Sequence, residues 1–462
     1  MAHAGSTASL TSAPPLAMGL RVNLSVMMFL QFAVWGAWFV VLGVYLEKGL
    51  GFSGTQIGNI YGTMALGGIL APMLIGQIAD RYFSSEKLMA FLHLAGAGML
   101  YLMAQIKDPT QFYVVTLVYA LLYSSTLVLA NSITFTHVPD GARDFPRVRV
   151  LGTLGWIVAN LIVGFVLPLF YTKPDQTHLP LLLAAGFSAV LGVTSFFLPH
   201  TPPTGKVGEA FPALRAVGLL KSPSFAVFFG VSFVITIVLA FYYTFTGNYL
   251  NDSTLPRLPN EINLHFFKIG MTVATIMTIG QWAELVLLPF LPWFLRVMGM
   301  KWVIAVGMLA WGVRYLLFAL GAEGDVSAWV VIGSLALHGV CFDFFFAAGF
   351  IYVDNEAPKE IRASGQALFT FLTYGVGMWL GNMLSGYVVD HYTTGPENSP
   401  IRNWYAIWLI PSVGVLASLA VFVLFFHLKA KAPAASLSAE SDKLSILPVQ
   451  PEKIVPPTAD IN

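Results

Sequence analysis

The sequence predicts an all-α membrane protein whose twelve transmembrane helices form two six-helix bundles. Composition, the lengths of its apolar stretches and a polar break near the middle carry that prediction. Of 462 residues 56% are hydrophobic and only 10% are charged, with a mean hydropathy of +0.73. A soluble domain is usually about 25% charged, so this chain cannot cover its surface with charge, and lipid must be its solvent.

A helix needs about 20 mostly apolar residues to cross the bilayer core. Segments of that kind run over 25–46, 55–79, 86–106, 112–136, 149–171, 180–199, 223–248, 266–290, 300–321, 327–353, 363–388 and 403–427. In lipid every backbone polar group must be satisfied internally, which makes helices the default. Strands of a membrane barrel would alternate in polarity over about ten residues. The continuous apolar runs here exclude them.

Lysine and arginine set the orientation, because they concentrate in cytoplasmic loops. With the N-terminus inside, seventeen of the 24 basic residues fall on the cytoplasmic side, among them Arg81, Arg143, Arg147 and Lys359. Six fall outside (Lys48, Lys107, Lys173, Arg257, Lys268 and Arg402), and Arg314 alone lies within a span. Both termini are thus expected in the cytoplasm. Residues 1–20 lack the charged n-region and cleavage site of a signal peptide, and residues 1–21 read as a cytoplasmic tail. Bundles are expected over 22–200 and 223–428, joined by a polar, proline-rich linker over 201–222. Residues 429–462 are rich in Ala, Ser, Pro and Lys and read as a disordered cytoplasmic tail.

Two internal echoes favour a six-plus-six duplication. The first segment ends Gly43-Val44-Tyr45-Leu46 and the seventh Gly247-Asn248-Tyr249-Leu250; the fifth opens Arg149-Val150-Leu151-Gly152 and the eleventh Arg362-Ala363-Ser364-Gly365. Parallel repeats of this kind place a transport site at midplane between the halves. Between the second and third segments stands Gly76-Gln77-Ile78-Ala79-Asp80-Arg81. Its glycine lets two helices approach, and Asp80 and Arg81 suit a charged gating latch.

Ionisable residues within spans are costly and suggest function by default. Gln281 and Glu284 share one helix face at i, i+3, where an amide and a carboxylate can hydrogen-bond a polar cargo. A desolvated carboxylate is expensive to keep ionised, so Glu284 is also a candidate to load and release a proton. Asp343, unpaired in sequence and set among aromatics, reads either as the proton carrier or as the partner of an arginine. Arg314 is either that partner or a side chain that snorkels outward. His338 titrates in the useful range and reads either as a cargo contact or as a hydrogen-bonded packing residue. Arg149 is either an anchor at a helix start or part of a site with Thr153 and Trp156, a cation, a hydroxyl and an aromatic plate suited to a ribose with a stacked base.

Several of these stretches resemble the bacterial nucleoside:proton symporters of the major facilitator superfamily. Phe29-Leu30-Gln31-Phe32-Ala33-Val34-Trp35-Gly36-Ala37-Trp38 is similar to that family's FLQF-x-x-WG-x-W, and Asp144–Thr153 to its DFP-x-x-R-x-x-GT. Gln281-Trp282-Ala283-Glu284, Phe342-Asp343-Phe344-Phe345 and Ile361-Arg362-Ala363-Ser364 match its Q-x-x-E, FDFF and IRAS, in order, from about residue 22 to 428. Gly76, Asp80 and Arg81 resemble the superfamily's gating loop. The resemblance implies that Arg149, Thr153, Trp156, Gln281, Glu284, His338 and Phe342 line a nucleoside pocket, with Asp343 and Glu284 serving proton coupling. It implies proton-coupled import of nucleosides across the cytoplasmic (inner) membrane. This chain departs where the family has phenylalanine for Trp156, tyrosine for His338, and amide side chains where the seventh helix reads Phe241-Tyr242-Tyr243-Thr244.

Competing functions are narrower. The altered seventh helix leaves open a carrier for another polar metabolite, such as a sugar or modified purine. An intramembrane enzyme would need a nucleophile–base pair or a metal cluster, and no HExxH, GxSxG or clustered histidines occur. The single Cys341 cannot build a disulfide framework or thiolate metal site. A net charge of +1 with no basic domain argues against a nucleic-acid polymer as partner. The expected partners are a nucleoside, protons and the lipid bilayer, with no cofactor or metal, and the carrier is expected to be a monomer.

Overall fold

The computed structural model describes residues 14–71, 82–203, 211–252, 272–396 and 400–428. Among the described residues twelve long helices follow one another: α1 (Met18–Gly36), α2 (Gly54–Ala71), α3 (Ser85–Met103), α4 (Pro109–His137), α5 (Gly141–Leu161), α6 (Leu179–Ser195), α7 (Pro223–Leu250), α8 (Val273–Met298), α9 (Met300–Glu323), α10 (Ala328–Glu356), α11 (Lys359–His391) and α12 (Trp404–Phe425). Nine stretches among the described residues are long and apolar enough to cross a membrane, and α6 is a shorter apolar helix. The only strands described are β1 (Thr393–Thr394) and β2 (Ile401–Arg402), an antiparallel pair between α11 and α12. Gly76, Asp80 and Arg81 lie outside the described residues, as does the stretch 429–462.

Three boundaries differ from the sequence reading. The first helix begins at Met18 rather than near 25, because Leu20 and Leu24 pack with Met27, Met28 and Leu88 in a second apolar core. The fifth begins at Gly141 rather than at 149, since Asp140 caps it by accepting the Arg143 backbone N–H at 3.0 Å. Arg149 is therefore two turns inside α5, not an anchor at a helix start. The eighth runs on past 290 to Met298, passing Pro289 through a short 3₁₀ turn, Leu288–Phe290, with Pro292 in the first turn of the stretch that follows.

Within the first half α1 packs on α5 and α6, α2 on α4, and α3 on α4 and α6; within the second, α9 and α7 pack on α12 and α8 on α10. The halves meet where α2 crosses α11 and α5 crosses α8. Glycine permits the closest of these approaches. A Cβ at Gly155 would collide with the Phe29 carbonyl of α1, and one at Gly58 with the Asn382 carbonyl of α11. A hydrogen-bonded network ties the first half together inside the apolar core. Gln31 donates to Thr126 (2.8 Å), the His93 ring meets Gln31 (2.9 Å) and Ser188 (3.1 Å), and Tyr123 donates to the Gln31 carbonyl (2.7 Å). Its members are fully buried and mutually satisfied, the condition under which a buried polar network holds helices in register.

α1 breaks after Gly36. Residues 37–41 form turns before the helix resumes at Leu42–Val44. Backbone groups freed inside lipid must find partners, and Tyr61 of α2 supplies them. Its hydroxyl donates to the Phe39 carbonyl (2.6 Å) and accepts the Gly43 N–H (3.0 Å). The break carries Trp38 and Phe39 at mid-span. Further irregularities fall at Ile162–Val166, Asp343–Ala347 and Phe371–Gly377, each a widened π-helical turn. Such bulges occur frequently at functional sites.

Candidate substrate and proton site

α5 supplies one wall. Arg149, Thr153 and Trp156 lie at i, i+4 and i+7, so they share a face, and all three are half-buried. The Arg149 guanidinium sits over the Phe32 ring at 4.0 Å, which holds a cation without a carboxylate. Trp156 meets Trp35 edge to face, with centroids 5.3 Å apart. Both indole N–H groups are buried without hydrogen-bond partners among the described residues.

The facing wall comes from the second half. Gln281 is buried in α8 with its amide unbonded among the described residues, and Glu284 follows one turn later, half-buried. In α10, His338 and Phe342 lie one turn apart with their rings in tilted contact, centroids 5.7 Å apart. Asp343 opens the π-helical turn; it is buried, and its Oδ2 has no partner. Arg314 of α9 makes no ion pair with it and does not snorkel. It is fully buried and its Nη1 meets His338 Nδ1 at 3.2 Å. Both readings of Arg314 drawn from the sequence are thus corrected, because the arginine lies inside an aromatic cage whose polar groups are the imidazole and the Tyr315 hydroxyl.

The three charges converge across the two halves. Arg149 and Glu284 are close enough for their charges to interact without forming a direct ion pair, and Glu284 in turn interacts with Asp343. Helix-level reasoning missed the aromatic lining. Phe39 of the broken α1 meets Tyr243 of α7 at 6.0 Å across the halves, and Tyr374 of α11 meets Phe346 of α10 at 5.1 Å. With aromatics at 14% of the chain, no pattern separates lining rings from packing rings. Only the α1 break marks Phe39.

At the end of the bundle away from Met18 and Phe425, polar contacts join the halves. Glu47 accepts from Asn248 of α7 and pairs with Arg402 at 3.0 Å, while Asn248 also donates to the Gly43 carbonyl at 2.9 Å. Asp390 of α11 accepts the Gly54 and Thr55 N–H groups at 2.6 and 2.8 Å, capping α2 from the other half. The β1–β2 pair positions Arg402 for this contact.

A family profile described as nucleoside H+ symporter matches residues 18–431. The chain belongs to that family. The protein YegT of Escherichia coli (strain K12) is 39% identical over 418 residues, covering 89% of this chain and 94% of its own length. The xanthosine permease of the same organism is 32% identical, with 89% and 96% covered. The crystal structure of the nucleoside transporter NupG superposes with a TM-score of 0.77 at 30% identity, over 89% of this chain and all of NupG. Membership establishes proton-coupled nucleoside transport by a multi-pass membrane protein of major facilitator fold. Two of the family departures noted in the sequence touch each other. His338 stacks on Tyr242 (5.3 Å, 19°) and abuts Tyr243 (6.2 Å).

Proposed function

We propose that a nucleoside binds between α5 and the α8–α10 wall, lined by Arg149, Thr153, Trp156, Gln281, Glu284, His338 and Phe342. The packing of α5, which carries Arg149, against α8, which carries Glu284, across the halves carries this reading. A cation and a carboxylate from opposite halves that interact without pairing suit a ribose whose hydroxyls accept from one and donate to the other. Trp156 and Phe342 offer faces for the base. Glu284 and Asp343 carry the proton. In the conformation described, the Glu47–Asn248–Arg402 and Asp390 contacts close one end, which is the periplasmic end in this reading. Import by alternating access then requires these contacts to part while the opposite end closes. The carrier works as a monomer in the inner membrane with both termini cytoplasmic. Binding tests the site. Arg149→Gln is expected to weaken nucleoside affinity about 100-fold, the range for removing a charged partner of a buried polar ligand group; affinity within a factor of two of the parent would remove Arg149 from the pocket.

Orientation has its own test. A cysteine at Pro203, in the connection between the halves, should resist an impermeant thiol reagent in intact cells, whereas one at Lys107, between α3 and α4, should react. The opposite pattern would invert the topology.

A further inference from the structure

Arg314 is an arginine buried in the second half with no carboxylate among the described residues to pair with. Aromatic rings surround it: its guanidinium carbon lies 4.0 Å from the Tyr242 ring centroid, 4.6 Å from Trp311 and 5.2 Å from Tyr315. Such rings stabilise a cation through their faces but accept few of its five N–H groups. Its polar neighbours are the Tyr315 hydroxyl, which itself donates to the Val238 carbonyl, and, through a contact of 3.2 Å, His338 Nδ1.

That contact has a single sense. A guanidinium has donors and no acceptor, and in proteins it does not deprotonate. Nδ1 must therefore present its lone pair, which puts the imidazole proton on Nε2. Protonating Nδ1 as well would set two N–H groups against each other beside a fixed charge. The ring gains nothing by turning over, since that sets Cδ2–H, which accepts nothing, against the guanidinium. It is stacked on Tyr242, and Gly280 of α8 packs so tightly that a Cβ there would lie 3.1 to 3.3 Å from its Cβ, Cγ and Cδ2. Nε2 has no hydrogen-bond partner among the described residues, and the ring's remaining neighbours include Tyr243 and Phe342 of the proposed pocket.

We propose that Arg314 is a positioning residue that fixes His338 as a hydrogen-bond donor through Nε2, so that the pocket selects nucleosides whose base presents an acceptor to it. This rests on the nucleoside site proposed above. It assigns His338 to recognition of the base and removes it from proton transfer. A buried donor is costly to leave unpaired, and a site built around one rejects a ligand lacking the matching acceptor more strongly than it rewards extra apolar contact. The base meets that donor with a carbonyl oxygen or an unprotonated ring nitrogen.

The test measures binding to the purified full chain of parents and acceptor-deleted partners. The clean deletions are the 1-deaza, 3-deaza and 7-deaza analogues of adenosine and the 3-deaza and 7-deaza analogues of inosine; purine riboside against inosine and pyrimidin-2-one riboside against uridine move the acceptor from a carbonyl oxygen to the adjacent ring nitrogen. In the parent protein at least one deletion should weaken binding about tenfold or more. That ratio should fall below about twofold in His338→Phe, which keeps the stacking, and in Arg314→Leu, while Arg314→Lys, still a donor to Nδ1, retains it. A purely structural Arg314 would lower affinity for parent and analogue alike, leaving the ratio unmoved. If the parent protein binds nucleosides but discriminates against no analogue, or discrimination survives His338→Phe, the donor assignment is overturned. Survival in Arg314→Leu overturns the positioning role. Should the parent protein bind none of the three nucleosides, the nucleoside site itself fails, and the inference with it.

Discussion

Replacing Glu284 with glutamine should abolish gradient-driven nucleoside uptake and weaken nucleoside binding about tenfold or more. The exchange keeps the side chain's size and its position one turn from Gln281 but removes both the charge facing Arg149 and the capacity to carry a proton. A pocket whose cation has lost its opposite charge binds a neutral sugar less well, because the hydroxyl that donated to a carboxylate now meets an amide. Charge-assisted hydrogen bonds are roughly twice as strong as neutral ones, which sets the tenfold scale. Binding and uptake measured on the same preparation decide the point. Full affinity and full gradient response in Glu284→Gln would reduce the residue to a helix–helix hydrogen bonder.

Asp343→Asn should separate binding from coupling. Asp343 is buried with an unpartnered oxygen and no cation within ion-pair distance among the described residues. A carboxylate so placed is expensive to keep charged, and asparagine imitates its neutral form. Exchange of labelled nucleoside between two pools should persist within about threefold of the parent, while accumulation driven by a pH gradient is lost. Each unit of ΔpH is worth about 1.4 kcal/mol per proton, a tenfold concentration ratio, so the inside-to-outside ratio should fall from about ten to one. Glu284 and Asp343 interact, and coupled carboxylates titrate as a pair. The two variants therefore differ in binding more than in accumulation. Equal loss of exchange and accumulation in Asp343→Asn would place Asp343 in the substrate pocket instead.

Much of the fold was legible because lipid leaves few alternatives. Twelve apolar stretches, a polar linker and the basic residues suffice for helix number and expected orientation, and the charges Arg149, Glu284 and Asp343 stand out because burial in lipid is costly for them. What was not legible depends on pairing across large sequence separations. Glu47 reads as an ordinary helix-end carboxylate until Asn248 and Arg402 are seen against it. Tyr61 reads as a core aromatic, yet it satisfies the break in α1. Arg314 and His338 stand 24 residues apart on neighbouring helices, and no periodicity announces that one orients the other. Asp140 is the local exception. Its capping role is readable from residue type, and applying it would have moved the start of α5 to Gly141.

Proteoliposomes loaded at one pH and diluted into a medium one unit more acidic, with labelled uridine or adenosine outside, test the central claim most directly. The account predicts accumulation approaching tenfold per proton carried, collapse to equal concentrations on adding a protonophore, and competition by unlabelled nucleoside. Entry that merely equilibrates, unchanged by the gradient or the protonophore, would contradict it.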